Sequence, residues 1–170
     1  MLYKFAVTTN NITDITLTTA QCGGDVSLTS VDGLKVTTRG VCWSTKPNPT
    51  INDNRTSDGS GTGNFTSNLI NLTDNTTYYV RAYATNEKGT SYGEEKSFKT
   101  LEITLPAVAT SNITNIKVSS ATCGGNVTSD GNGTVTARGV CWGTKPNPTI
   151  NDNKTSDGSG TGNFTSNLIN

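Results

Sequence analysis

The four cysteines are the residues whose chemistry is most easily interpreted. Cys22 and Cys42 recur as Cys123 and Cys141, one pair in each half of the chain. No CxxC motif occurs, and the chain has no histidine to complete a zinc site. We therefore expect one structural disulfide in each half. Disulfides of this kind are typical of an oxidising compartment outside the cytosol.

Residues suited to catalysis are scarce. Without histidine the chain has no Ser-His or Cys-His nucleophile arrangement, and its carboxylates lie mostly in predicted turns. We expect no enzymatic activity and no cofactor. Asp53 and Asp58 have oxygens that calcium prefers, but Phe65 stands where an EF-hand loop needs its bidentate glutamate. An ordinary loop rich in Asx turns is the favoured interpretation, so no metal site is predicted.

Charge and hydropathy exclude other partner classes. The 13 basic residues balance the 13 acidic ones, which gives no reason to expect nucleic acid as a partner. No apolar run approaches the roughly 20 residues of a membrane span. The first ten residues lack the apolar core of a secretory signal. An exported protein would therefore need a signal that is not present in this chain.

A long repeated stretch organises the chain. Residues 46–71 return as residues 145–170 with one change, Arg55 to Lys154. A period of about 100 residues suits tandem globular domains of sandwich size. We expect a complete domain at residues 1–102, a linker at about residues 101–106, and a second domain at residues 103–170 that lacks its last two strands.

Short β-branched runs between Gly, Asn, Asp and Pro clusters predict an all-β fold. Side chains alternate between the faces of a strand, so residues 34–43 place Cys42 on one side and Arg39, Val41 and Trp43 on the other. Charge favours the second set as the outer face, which would leave the cysteines inside. The opposite arrangement stays open, because a tryptophan is more often buried than displayed.

An aromatic face is the candidate binding surface. The strand predicted near the end of the first domain places Tyr79, Arg81 and Tyr83 on the same outer face as Arg39 and Trp43. Aromatic rings beside guanidinium groups can bind sugar rings or a protein partner. Cross-strand stacking that stiffens the sheet is the favoured alternative.

Residues 72–93, LTDNTTYYVRAYATNEKGTSYG, resemble the end of a fibronectin type III domain. The family pattern is L-x-P-x-T-x-Y, then alternating apolar residues, A-x-N and G, and Asp74 replaces the usual proline. The Cys-Gly-Gly, GVCW and PNPT elements are similar to a variant repeated in surface and secreted proteins of Bacteroidetes-type bacteria. The resemblance covers most of residues 6–100 and 107–170. It implies tandem immunoglobulin-like β-sandwiches with Tyr78 as a tyrosine corner.

The second repeat stops before the strands that would complete its sandwich, so it should expose an apolar face and open sheet edges. Either the chain is part of a longer array, or a neighbouring copy supplies the strands by β-augmentation.

The expected function is an extracellular or cell-surface repeat array without catalysis, acting as a stalk, adhesin or filament component. Its partners would be neighbouring repeats or copies of itself, and a glycan or host cell-surface protein is a further candidate. The alternative is a glycan-binding or spacer module of a secreted polysaccharide-degrading enzyme. The fold alone does not separate these functions.

Overall fold

The computed structural model describes residues 5–28 and 35–169. Within these residues every regular element is a β-strand, and all strand pairs are antiparallel. The chain divides into two compact units, Met1–Glu102 and Ile103–Asn170. The prediction of an all-β fold is confirmed.

The described residues of the first unit form β1 (Phe5–Thr9), β2 (Ala20–Leu28), β3 (Thr38–Ser44), β4 (Asn54–Arg55), β5 (Gly63–Leu69), β6 (Thr77–Asn86), β7 (Gly89–Tyr92) and β8 (Lys96–Lys99). One sheet has the order β1-β2-β5. The other has the order β4-β3-β6-β7, and β8 also pairs with β6. Two antiparallel sheets with a shared apolar core are the arrangement of a β-sandwich.

The core of the first unit takes every second residue from β2 and from β6, as alternation predicts. Its buried members are Ala20, Cys22, Val26, Val36, Val41, Trp43, Phe65, Leu69, Leu72, Tyr78, Val80, Ala82, Ala84 and Phe98.

The favoured orientation of β3 is wrong, and the alternative is correct. Val41 is fully buried and Trp43 is 7% exposed, and both belong to the core. Cys42 is fully buried as well, but it points to the other side of the sheet, as alternation with its neighbours requires. The error has a local cause. Val36 also lies in the core, but β3 begins only at Thr38, so the alternation does not continue through the irregular residues before it.

Tyr78 connects β6 to the loop that precedes it. Its hydroxyl accepts a hydrogen bond from the Thr73 backbone N–H at 3.0 Å. Its buried ring stacks on Phe98 with 5.8 Å between the ring centroids. The hydrogen bond to Thr73 holds the loop before β6 against the start of that strand.

The described residues of the second unit form β9 (Ala107–Thr110), β10 (Ser120–Ser129), β11 (Cys141–Trp142), β12 (Asn153–Lys154) and β13 (Gly162–Ile169). The sheet β13-β10-β9 repeats the order β5-β2-β1, and β10 pairs with β13 in the register of β2 with β5. The β9–β10 pairing follows that of β1–β2 as far as Val127 and then shifts at a bulge, and β11-β12 repeats β3-β4. Counterparts of β6, β7 and β8 are absent from the described part of this unit.

Candidate functional site

The outer face of β6 holds three of the five residues predicted for the aromatic face: Tyr79, Arg81 and Tyr83. Cross-strand pairing sets Arg81 opposite Cys42, on the side of the sheet that faces away from the core. Tyr83 is only 2% exposed, and its hydroxyl donates to the Thr56 carbonyl at 2.6 Å. Burial raises the pKa of the Tyr83 hydroxyl above its ordinary value of 10.0. Tyr83 is therefore a packing residue, and its ring is not accessible to a ligand.

Arg81 forms its main contact with Tyr92, a residue that the sequence analysis did not single out. The Arg81 Cζ lies 4.7 Å from the centroid of the Tyr92 ring, and Arg81 Nε donates to the Gly93 carbonyl at 3.0 Å. The Tyr92 hydroxyl accepts a hydrogen bond from the Ile51 N–H at 3.1 Å. Tyr92 was missed because its place beside Arg81 depends on the pairing of β7 with β6, which sets Tyr92 opposite Tyr83.

Arg39 does not lie on this outer face, so that part of the prediction is wrong. Its Cζ is 5.4 Å from the centroid of Phe65, a core residue. Its Nη1 donates to the carbonyls of Gly61, Thr62 and Gly63 at 3.3, 2.7 and 3.2 Å. Arg39 therefore holds the glycine-rich loop against the sandwich.

Trp43 is also wrongly assigned to the binding face. Its ring is part of the core, and it is paired across the sheet with Val80. The five-residue platform is consequently divided between the two sides of one sheet. Tyr79 and Arg81, both partly buried, are the members that retain some exposure on the outer side.

The segment that follows β3 covers this outer side. Pro49 is fully buried. The Cys42 thiol donates to the Pro49 carbonyl at 3.5 Å and to the Arg81 carbonyl at 3.4 Å. The first residues of the repeated stretch therefore cover Cys42 and exclude solvent from it.

All four cysteines are free thiols, so the predicted disulfides are wrong. Cys22 lies in the core, where its thiol donates to the Asn10 carbonyl at 3.5 Å. Cys42 points away from that core on the facing sheet. A disulfide between Cys22 and Cys42 would require β3 to rotate so that its opposite face pointed into the core. The same alternation applies to Cys123 and Cys141, which are likewise unbonded.

We predict that the four thiols differ in reactivity in the folded chain. Burial raises the pKa of the Cys42 thiol from its ordinary value of 9.0 to about 11, and burial also raises that of Cys22. Because the thiolate is the nucleophile, both should be labelled slowly by a maleimide at about pH 8, and the partly exposed Cys141 should be labelled first. Peptide mass spectrometry after timed quenching measures the order.

The denatured chain is the control for this experiment. In urea without reductant, four thiols per chain should react, since the sequence has four cysteines and none is bonded. A count of two or fewer would contradict the structure and restore the disulfide interpretation.

Asp53 and Asp58, the weak calcium candidates, accept hydrogen bonds from nearby groups of the first unit. The Asp53 carboxylate accepts from the Thr50 N–H at 2.8 Å. The Asp58 carboxylate accepts from the Thr56 and Ser67 hydroxyls, each at 2.5 Å. Among the described residues no group of three or more His, Cys, Asp or Glu side chains is placed to hold a metal ion.

These internal contacts recur in the second unit. Arg138 Nη1 donates to the Thr161 carbonyl at 2.8 Å, as Arg39 does to Thr62. The Asp157 carboxylate accepts from the Thr155 and Ser166 hydroxyls, as Asp58 does in the first unit. The repeated stretch therefore repeats a set of structural contacts.

In the described part of the chain, no helix is long and apolar enough to cross a membrane.

The fold defines the chain as an all-β protein of antiparallel sheets in the arrangement of a β-sandwich. No protein-family model matches the chain, and no curated protein matches it. One similar solved structure is titled "Myokine structure", with 19% identity, a TM-score of 0.42, and 57% of this chain and 97% of that chain covered. Another is the solution structure of the sensor domain of the anti-sigma factor RsgI4 in Pseudobacteroides cellulosolvens. It has 20% identity and a TM-score of 0.41, with 59% of this chain and 76% of that chain covered.

Proposed function

We propose that the chain is part of an extracellular, non-catalytic repeat array that serves as a stalk, adhesin or filament component. Its units would be fibronectin type III-like sandwiches, similar to those repeated in surface and secreted proteins of Bacteroidetes-type bacteria. The observation that carries the proposal is the use of the repeated stretch for internal contacts in both units. If the stretch were repeated because it binds a ligand or catalyses a reaction, its polar side chains would be expected to point into a cleft.

The Arg39 and Asp58 contacts illustrate this use. Arg39 binds three loop carbonyls, and Asp58 bridges Thr56 near β4 to Ser67 in β5. Charge-assisted hydrogen bonds contribute about 1.5–3 kcal/mol each when they are shielded from water, and less where water reaches them, as it does at the contact between Arg39 and the Thr62 carbonyl. They fix the loops of the sandwich, and stiffness of each unit is what a stalk or filament requires.

Free thiols are compatible with an extracellular location when they are buried. Cys22 and Cys42 are covered, and their raised pKa values keep them in the unreactive thiol form. Oxidants and partner thiols would therefore not reach them while the first unit stays folded.

The location is tested on intact cells of the source organism. An antibody against residues 1–102 should detect loss of the epitope when intact cells are treated with a protease, because a surface protein is accessible without lysis. A cytosolic marker protein is the control. Protection of the epitope until the cells are lysed would contradict the extracellular part of the proposal.

The array function is tested by solution scattering on chains that carry one, two or four copies of residues 1–106. The short linker at about residues 101–106 restricts flexing. The maximum dimension should therefore rise by a constant increment per copy. Matched chains in which residues 101–106 are replaced by a Gly/Ser linker of the same length should show increments that decrease with each added copy. Equal increments in the two series would contradict a stiff array.

A further inference from the structure

The Lys96 side chain contacts Asn11 across the edge of the first sandwich. Its Nζ donates a hydrogen bond to the Asn11 Oδ1 at 2.8 Å and lies 3.7 Å from a carboxylate oxygen of Glu94. Asn11 follows β1 and Lys96 begins β8, so the contact joins the two sheets of the first unit. An amine, an amide and a carboxylate are thus held together by residues that are 85 positions apart in the sequence.

The Lys96 side chain starts from the inner face of β8. Phe98, two residues further along this strand, is buried in the core, and side chains alternate between the faces of a strand. The Lys96 side chain is only 28% exposed. Together with Ile12, Ile15 and Phe98 it lines a shallow cavity that also includes Asn11. The apolar stem of Lys96 is therefore shielded between the two sheets, and its amine lies at the rim of the cavity.

Backbone contacts hold the reacting groups in place. The Thr9 hydroxyl donates to the Glu94 carbonyl at 2.6 Å, which fixes the segment before β8 against the end of β1. The Thr13 N–H and carbonyl are both hydrogen-bonded to Gln21 of β2, each at 2.8 Å. Asn11 lies between Thr9 and Thr13 and is therefore held at both sides. Groups that folding has already oriented react faster than free groups, because the entropy of bringing them together has been lost beforehand.

The Lys96 amine is also close to the amide carbon of Asn11. The C=O bond is about 1.2 Å long, so an atom 2.8 Å from Oδ1 is at most about 4 Å from Cγ. Nucleophilic attack needs a separation of about 3–3.5 Å. A small rotation of the exposed Asn11 side chain is sufficient to reach it.

We propose that Lys96 and Asn11 form an isopeptide bond, which links β8 covalently to the segment after β1. The Glu94 carboxylate accepts a proton from the Lys96 ammonium group, and the neutral Nζ attacks the Asn11 Cγ. A second proton passes from Nζ to the Asn11 Nδ2. The Cγ–Nδ2 bond then breaks, the Nζ–Cγ amide remains, and ammonia leaves. The proton on Glu94 goes to the ammonia, so the carboxylate is restored and ammonium is the second product. The reaction needs no oxidant or reductant.

The release of ammonia makes the reaction one-way. Asn11 is exposed at the rim of the cavity, so the ammonia passes directly into solvent. The bond forms once in each chain, and a slow reaction is therefore sufficient. It closes a covalent loop from residue 11 to residue 96 and fastens the start of the first unit to its last strand. The link concerns the first unit alone and holds whether or not the chain is extracellular.

Mass spectrometry of the purified 170-residue chain tests the proposal. The intact mass should be lower than the sequence requires by the mass of one ammonia molecule. Trypsin should release residues 5–35 joined to residues 89–99, because the linked Lys96 is no longer cleaved. Fragmentation of this peptide pair should place the bond between Asn11 and Lys96. The linked peptide is decisive, since cyclisation of the Asn-Gly pair at residues 132–133 also releases ammonia.

Lys96→Arg is the matched control. A guanidinium keeps the charge and can donate to Asn11, but it is not deprotonated in proteins and cannot attack the amide. This variant should have no linked peptide and no ammonia loss at Asn11. Glu94→Gln removes the proton acceptor at almost unchanged size, and it should slow formation of the bond by about 100-fold or more.

Two outcomes overturn the proposal. One is a parent chain of the full sequence mass without the linked peptide. The other is an ammonia loss of the same extent in Lys96→Arg, which would assign the loss to a different site. The measurement on the parent chain does not depend on the folding of either variant.

Discussion

Trp43→Ala is expected to lower the free energy of unfolding of the first unit by about 4 kcal/mol, whereas Trp142→Ala in the second unit should cost about 1 kcal/mol or less. The two tryptophans occupy equivalent positions in the repeat. Trp43 is buried among core residues, and removing its ring leaves a cavity that the surrounding sandwich cannot fully close. Trp142 is partly exposed beside an open groove, so its removal leaves no closed cavity.

Hydrogen exchange in increasing urea, resolved by mass spectrometry of peptides, measures the two units separately in the same chain. Protection of the β6 amides reports the first unit, and protection of the β10 amides reports the second. Small and similar effects of the two substitutions would indicate that Trp43 lies on the surface. That result would return it to the outer binding face predicted from the sequence.

Gly40→Ala is expected to lower the free energy of unfolding of the first unit by about 3 kcal/mol, because the new methyl group has no room. A Cβ at Gly40 would lie 2.4 Å from the Thr56 carbonyl oxygen. That oxygen also accepts the hydrogen bond from Tyr83, so moving it breaks a contact that closes the outer side of the sheet. The backbone that carries Thr56 is paired with β3 nearby and cannot shift freely.

Gly143→Ala is the matched control, since a Cβ there would have nothing within 4 Å. Its effect should stay within about 0.5 kcal/mol. Gly139→Ala should destabilise the second unit, because its Cβ would lie 2.3 Å from the Thr155 carbonyl oxygen. Equal thermal and urea stability of Gly40→Ala and the parent chain would show that the two strands are less closely packed than described.

The sequence predicted the strands well where the alternation of side chains is unbroken. In β6, Val80 and Ala82 lie in the core and Arg81 lies outside, as expected. Cys22 was also expected to face inward, and it lies in the core. Such patterns are local, so they can be read without knowing which strands pair.

The errors arose where the outcome depends on long-range or irregular structure. The face of β3 was counted through irregular residues, and charge on Arg39 was taken as a sign of exposure. The Arg39 guanidinium instead donates hydrogen bonds to carbonyls of the loop at residues 61–63, which is distant in sequence. The disulfides were inferred from the number of cysteines, and that number contains no information about which side of a strand Cys42 faces.

The identical strands of the two units have a consequence for folding. β5 and the corresponding part of β13 share the sequence GNFTSNL, and each pairs with a partner strand in the same register. During folding, β2 therefore has two candidate partners with the same side chains. The nearer one is favoured by loop closure, since the wrong pairing encloses a loop about four times longer, at a cost of about 1 kcal/mol. A free-energy difference this small between the correct and the wrong pairing makes strand exchange between the units an expected misfolded form of such a repeat. The connecting segments must therefore determine which strands pair.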